Sequence, residues 1–348
     1  MSTQGTNRVV VVGGTGFLGS RAVAALRRVE GVDVVVASRR SEVRVDLSDP
    51  TTFGALHGAA LVIDLADATS TPPDELAKWC LSNGVRLLET TSDFSAIERL
   101  CKVDTKGATG TLILGAGIFT GLSNLLAREA IRKVDEPTSV SLAIRSSPYS
   151  GAGTGTVALM AAILSVSGAS FRNGKRVSHP PVERGPNVRF TAGTAPSLRI
   201  PLAEVLMLSA STGASGIDAY FSPKPSLLVW AFLAMPGFVL KSALFAAFMR
   251  AYFGFLRRYI LKNVVTTTEL HAEAEGKSGK RATLDLSARD GMTTGGVAIA
   301  AMAAELLEQE RIASGLLMID DLLELEVVLT RMRLLGGEDV KLERSPTI

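Results

Sequence analysis

The chain has 348 residues, 47% of them hydrophobic and 20% charged, with a formal net charge of +3. So small and scattered an excess provides no basic stripe for a phosphate backbone, which excludes nucleic acid as the expected partner. Cys80 and Cys101 are too few for a disulfide framework, and no Cys/His cluster has metal-site spacing, so no metal is expected.

The polar start MSTQGTNR runs straight into an apolar strand. No signal peptide is read there, and a cytoplasmic, reducing setting is expected. Val9 to Val12 make a short continuous apolar run, as in a strand covered on both faces of a parallel sheet. Leu18, Ala22, Ala25, Leu26 and Val29 then recur at helical spacing. Between strand and helix, Gly14, Gly16 and Gly19 match G-x-G-x-x-G. The pattern predicts that Gly14, Thr15, Gly16, Phe17, Leu18 and Gly19 hold the pyrophosphate of a dinucleotide at a helix N-terminus. The first glycine should allow the tight turn, the second the close approach of the pyrophosphate, and the third the packing of helix on strand. A glycine-rich turn with no ligand is the plainer alternative.

The second strand, Val32 to Ala37, ends in Ser38-Arg39-Arg40. About 20 residues past the glycines a carboxylate would hold a ribose 2′-hydroxyl, and Arg39 stands there instead. A guanidinium suits a 2′-phosphate, so NADP(H) is expected rather than NAD(H), with a solvated basic loop as the alternative. Val43 to Leu47, Leu61 to Ala66, Val85 to Glu89 and Thr111 to Leu114 read as further buried strands, and Pro72-Pro73-Asp74-Glu75 opens a helix. The expected fold class is α/β, a Rossmann-type doubly wound parallel sheet. Ligands of such sheets lie at the carboxyl ends of the strands, which makes Asp46, Ala66, Asp67, Thr91, Ser92 and the Gly115-Ala116-Gly117 turn the expected rim.

GGTGFLG, VDLSDPTTFGAL, LVIDLAD, LETTSD and above all LGAGIFTGLSNLLAREA resemble the saccharopine dehydrogenase-like oxidoreductases, in order and spacing over a domain-length stretch. The resemblance returns in SGAGTGTVALM and in DGMTTGGVAIAAMAAELL. The pattern is closer to the branch of saccharopine dehydrogenase-like oxidoreductases and trans-acting enoyl reductases than to the lysine-pathway enzymes. Where members of the family often carry a proline, this chain has Thr120, so a different turn is expected before Gly121. The resemblance implies hydride transfer between a nicotinamide and a C=N or C=C bond, substrate held between two domains, and a helix near residue 300 that crosses back to the nucleotide domain. It also implies Phe119, Tyr149 and Thr154 as candidate substrate contacts, though residues 150–164 read equally well as a plain helix start capped by Thr154 or Thr156.

From residue 124 to 290 the chain reads as an α+β domain with a mostly antiparallel sheet: Ser139 to Ser146, Val188 to Thr191, Leu198 to Pro201, Gly216 to Phe221, and Val264 to Glu275 joined to Arg281 to Ala288 by GKSGK. Residues 1–123 are the expected NADP-binding domain, and residues 291–335 the expected return to it. A sheet of this kind offers a dimer surface, and a homodimer is expected. His271 reads as a charged sheet face or a catalytic histidine, and His57 and His179 have no partner legible in sequence. Tyr220-Phe-Ser-Pro-Lys224 has the Tyr-x-x-x-Lys spacing of short-chain dehydrogenases, but Pro223 and Pro225 deny it the helix that would bring the two side chains together. The catalytic acid is unassigned.

Residues 226–260, SLLVWAFLAMPGFVLKSALFAAFMRAYFGFLRRYI, form an apolar segment divided by Pro236-Gly237, with neither half long enough to span a bilayer. Three readings stand: the wall of a pocket for a lipophilic substrate, a buried helical hairpin, or an interfacial patch in peripheral contact with a membrane. Together these features point to an NADPH-dependent reductase of an apolar, carrier-bound or polyketide-like substrate. The alternatives are a non-catalytic NADP(H)-binding protein that docks through its apolar segment, and an extended short-chain dehydrogenase-like reductase.

Overall fold

A computed structural model describes residues 6–147, 159, 162–240, 242–259, 267–337 and 340–344. The chain folds as two compact units, one of Met1–Thr91, Ala96–Leu122 and Met292–Glu338, the other of Ser92–Ser95, Ser123–Gly291 and Asp339–Ile348.

The first unit is built on a parallel sheet of β1 (Asn7–Val12), β2 (Val32–Ser38), β3 (Val43–Arg44), β4 (Leu61–Asp64), β5 (Arg86–Glu89), β6 (Thr111–Leu114) and β15 (Gly315–Met318). Their order is β15-β6-β5-β4-β1-β2-β3, and every pair is parallel. Val9, Val10 and Val11 alternate between the two faces of the sheet and all are fully buried, so both faces are covered at this central strand, which explains the unbroken apolar run. The winding reverses between β1 and β4, the switch point at which such sheets open a crevice. Helix α1 (Phe17–Leu26) packs on β1 and β2, and α2 (Asp74–Ser82), with Asp74 and Glu75 in its first turn, packs on β5 and β6. The strand expected over residues 43–47 stops at Arg44. Asp46 turns the chain there: its Oδ1 accepts from Ser48 N–H at 3.0 Å and its backbone N–H donates to Thr52 Oγ1 at 2.9 Å.

Helix α9 (Gly291–Glu308) returns the chain to this unit. A Cβ on Gly296 would lie 2.7 Å from Arg21 Cβ and 2.9 Å from Ala22 N, so glycine lets α9 approach the α1 backbone directly. Arg21 Nε donates to Thr293 Oγ1 across the same contact.

The second unit centres on a mixed sheet whose main path is β10 (Glu183–Phe190), β11 (Gly193–Arg199), β12 (Gly216–Pro223), β7 (Pro137–Ser146), β13 (Thr267–Gly276), β14 (Arg281–Arg289) and β16 (Val340–Arg344). It is antiparallel except for β7 with β12. The hairpin β8 (Gly168–Arg172) and β9 (Lys175–His179) attaches to β12. Leu270, Ala272, Ala274, Leu284, Leu286 and Ala288 form the buried face, on which α4 (Ser123–Ile131) packs. Residues Val264 to Thr266 of the expected hairpin lie outside the described residues, as do Tyr149 and Thr154. The segment 226–260 is three helices rather than two: α6 (Leu227–Leu233), α7 (Gly237–Leu240) and α8 (Ala243–Tyr259). Helix α5 (Glu204–Ser211) lies between β11 and β12.

Candidate functional site: a glycine cradle and a buried acid pair

At the end of β1 the chain turns through Gly13 at φ +75°, a conformation that L side chains rarely adopt. A Cβ there would lie 2.8 Å from the Leu65 carbonyl, so main chain meets main chain across the switch point. The tight turn expected of Gly14 is thus made by the glycine before it, and Gly14 packs under the Val36 side chain. Gly16 N–H donates to Gly13 O at 2.9 Å and places Gly16 as the N-cap of α1, with no side-chain cap and no acid in the first turn. A Cβ on Gly19 would lie 2.3 Å from Gly13 O, the close packing expected of the third glycine. Thr15 and Gly16 are exposed, Phe17 and Leu18 half-buried. The loop therefore presents bare backbone and an uncapped helix start, the arrangement that receives an anion.

Beyond β2, Ser38 Oγ accepts from the N–H groups of Arg40 and Ser41 at 3.2 and 3.0 Å, which sets the loop carrying Arg39 and Arg40. Both arginines are exposed, and among the described residues neither guanidinium has a hydrogen-bond or ion-pair partner. A cleft of about 570 Å³ opens between the loop after β3 and the segment before α2, lined by Leu47, Ser48, Ser70 and Thr71 among others.

The rim residues divide into two kinds. Asp46 and Asp67 have their carboxylates engaged within their own loops, the latter by Thr69 N–H, Thr69 Oγ1 and Ser70 Oγ, so what these loops offer a ligand is backbone and the other side of each carboxylate. Gly115 and Gly117 sit at φ +103° and +97°, where glycine is required, and Gly115 N–H donates to Glu89 O. Thr91 and Ser92 are half-buried after β5. Phe119 is half-buried in a π-type turn that closes by Leu122 N–H donating to Gly117 O at 2.9 Å. Thr120 follows at φ 57°, uncommon for a β-branched residue, with its hydroxyl on the Phe119 carbonyl. A proline would hold φ near −65°, so threonine here permits a turn that proline forbids.

The pair Asp64 and Glu89 was not legible as a unit in the sequence. They end β4 and β5, directly opposite in parallel register, and each is 2% exposed. Asp64 Oδ1 accepts Ala66 N–H at 2.9 Å, Glu89 Oε1 accepts Thr91 N–H at 2.8 Å, and Thr90 Oγ1 donates to Asp64 O at 2.7 Å. Glu89 Oε2 is buried without a hydrogen-bond partner. Burial raises both carboxyls, Asp64 to about 6, and the Asp64 charge pushes Glu89 well above the usual range. Each carboxyl thus favours its protonated form more than a free one does, and the hydrogen bonds the two accept from Ala66 and Thr91 hold the two loops flanking the crevice. Acids at adjacent strand ends in LVIDLAD and RLLETTSD were the signal; strand order was the missing piece.

The tyrosine and histidines singled out in the sequence have local partners. Tyr220 lies on β12, with its hydroxyl receiving a hydrogen bond from Arg199 and burial raising its pKa, while Lys224 Nζ pairs with Glu269 at 2.7 Å. That is the reverse of the lowered tyrosine a short-chain dehydrogenase needs. His271 pairs with Asp285 at 2.9 Å and meets the Phe190 ring edge-on, a packed sheet face. His179 lies between the carbonyls of Pro180 and Ala169, and His57 leans on Trp79. Among the described residues no group of His, Cys, Asp and Glu is arranged to hold a metal.

No protein-family model matches the chain, and no curated protein matches it. Among solved structures, apo histidine-tagged saccharopine dehydrogenase (L-Glu forming) from Saccharomyces cerevisiae is similar with a TM-score of 0.59 and 14% identity, over 98% of this chain and 100% of that one. A meso-dapdh mutant with DAP from Clostridium tetani E88 is similar at TM-score 0.47 and 10% identity, covering 92% and 95% of the two chains. The amine dehydrogenase from Mycobacterium smegmatis stands at 0.45 and 11%, covering 92% and 96%. The chain has the fold of the saccharopine dehydrogenase structure.

Proposed function

We propose that this chain is an NADPH-dependent oxidoreductase that reduces a C=C or C=N bond of an apolar substrate. The observation that carries this reading is the cradle of the first unit: an uncapped α1 behind a turn of bare glycine, with Arg39 and Arg40 exposed and unpaired at the end of β2. A dinucleotide fits these residues. The first turn of α1 would take the pyrophosphate, and Arg39 or Arg40 a 2′-phosphate, through charge-assisted bonds. The cleft of about 570 Å³ beyond β3 would take the adenine end.

When bound, the nicotinamide supplies the hydride chemistry. The chain's own part is to bind and orient. The turn at Gly13 sets the phosphate loop against the loop after β4, and the carboxyl oxygens of Asp64 and Glu89, by accepting the N–H groups of residues 66 and 91, keep that backbone in place beneath the ligand. The likeness of fold to a saccharopine dehydrogenase supports the same reading.

Calorimetric titration of the purified protein with NADPH and NADH tests it. NADPH should bind at least about tenfold more tightly, a difference of ~1.4 kcal/mol, and Arg39→Ala should remove most of that preference while leaving NADH binding little changed. No heat with either nucleotide, or a preference for NADH, overturns the assignment.

A further inference from the structure

Five large apolar or aromatic side chains of α8 are exposed. Leu244, Phe248, Tyr252, Phe255 and Tyr259 recur at i, i+4, i+8, i+11 and i+15, a single stripe along the helix. Leu244 is 82% exposed, Phe248 59%, Phe255 55% and Tyr259 65%, while Met249 turns inward and is buried. The rings are ordered against one another: Phe248 stacks on Tyr252 at 5.8 Å, and Phe255 leans on Tyr259 at 5.0 Å. Phe238 of α7 and Leu227 and Trp230 of α6 are exposed as well. A buried hairpin requires these side chains to be covered by the chain itself, and the described residues do not cover them. An outward apolar surface of this extent marks an interaction site.

Its charge identifies the occupant. From Pro225 to Thr268 the sequence contains Lys241, Arg250, Arg257, Arg258 and Lys262 and not one Asp or Glu. Two copies paired through this segment would each bring five positive charges in sequence and no acid to offset them, so self-pairing is opposed by charge. No described helix is long and apolar enough to cross a membrane. An aromatic stripe beside a wholly basic sequence is the pattern of a helix lying in the plane of a bilayer interface.

We propose that α8 docks the protein on an anionic lipid bilayer, its Leu244, Phe248 and Phe255 face entering the boundary between headgroups and acyl chains, with the net positive charge of the 225–268 sequence favouring anionic lipid. The inference is independent of the nucleotide chemistry. It needs only the second unit, so it stands or falls apart from NADPH binding.

Flotation with vesicles of phosphatidylcholine alone, and of phosphatidylcholine with phosphatidylglycerol, at low and high salt, tests it. The full-length protein should float with the anionic vesicles at low salt and at least tenfold less with the neutral ones. High salt should weaken but not abolish the association. Phe248→Ser with Phe255→Ser, both exposed, and separately Arg257→Glu with Arg258→Glu, should each cut the floated fraction at least tenfold with the NADPH titration unchanged. Should a variant fail to fold, the emission of Trp230 in the native protein still decides the matter, because it must shift to the blue on adding anionic vesicles. Failure to float with either vesicle, or equal flotation of native protein and variants, overturns the proposal. So does a dimer in solution that the Phe248 and Phe255 changes dissociate, which would give the face to a second copy.

Discussion

Glu89 shows what one buried residue does when its neighbour is also an acid. Its carboxyl is held above the usual range by burial and by the Asp64 charge, so the folded state prefers the proton and the unfolded state does not. The corresponding stability is therefore present in full below the unfolded value near pH 4.5 and is lost as pH rises through the folded one; for Asp64 that loss falls between about pH 4 and 6. Glu89→Gln cannot ionise. Relative to the native protein it should gain melting temperature at pH 8, by about 2 °C or more, and gain much less at pH 5. Thermal denaturation at the two pH values decides it, and an equal difference at both would remove the account in which burial and the Asp64 charge raise the Glu89 carboxyl.

Among elements, the strand pair β10 and β11 closes over the polar face of the second sheet through one carboxylate. Glu269, on β13, receives Lys224 Nζ at 2.7 Å, Arg145 Nη1 at 3.4 Å and Ala192 N–H at 3.0 Å, and its side chain is only 5% exposed. Arg145 in turn lies over the Phe190 ring at 5.6 Å, and Val188, Phe190, Ala195, Ala143 and Tyr220 form a small apolar cluster beside it. Removing the acid strands two largely buried cations and a backbone donor. Glu269→Ala should cost about 3 kcal/mol in urea unfolding of the second unit. A loss under about 1 kcal/mol would mean that water replaces the carboxylate and that the strand pair holds by its apolar cluster alone. The NG turn between β8 and β9, with Asn173 and Gly174 at φ 51° and 73°, is a hairpin signal legible in the sequence that the strand reading passed over.

At the scale of the whole molecule, a nucleotide held by the first unit stabilises that unit by mass action. At a hundredfold excess over Kd the gain is about 2.7 kcal/mol, so NADPH should raise the unit's unfolding transition in scanning calorimetry, and NADH at the same concentration should raise it less. An unmoved transition with NADPH counts against the cradle as its site.

The sequence by itself determined the parallel nucleotide-type sheet and the place of its phosphate loop. A run such as Val9 to Val12 is satisfied in a strand covered on both faces of its sheet, and Gly19 tolerates no side chain against Gly13. These are local constraints, carried by neighbours in the chain. Tertiary structure alone decided the rest: that β4 lies beside β5 and makes Asp64 and Glu89 one acid pair, that Tyr220 points at Arg199 rather than Lys224, and that the stripe of α8 is exposed. Each of these depends on which segments, distant in sequence, become neighbours. Periodicity marks a face as apolar, and only packing settles whether the chain itself covers it.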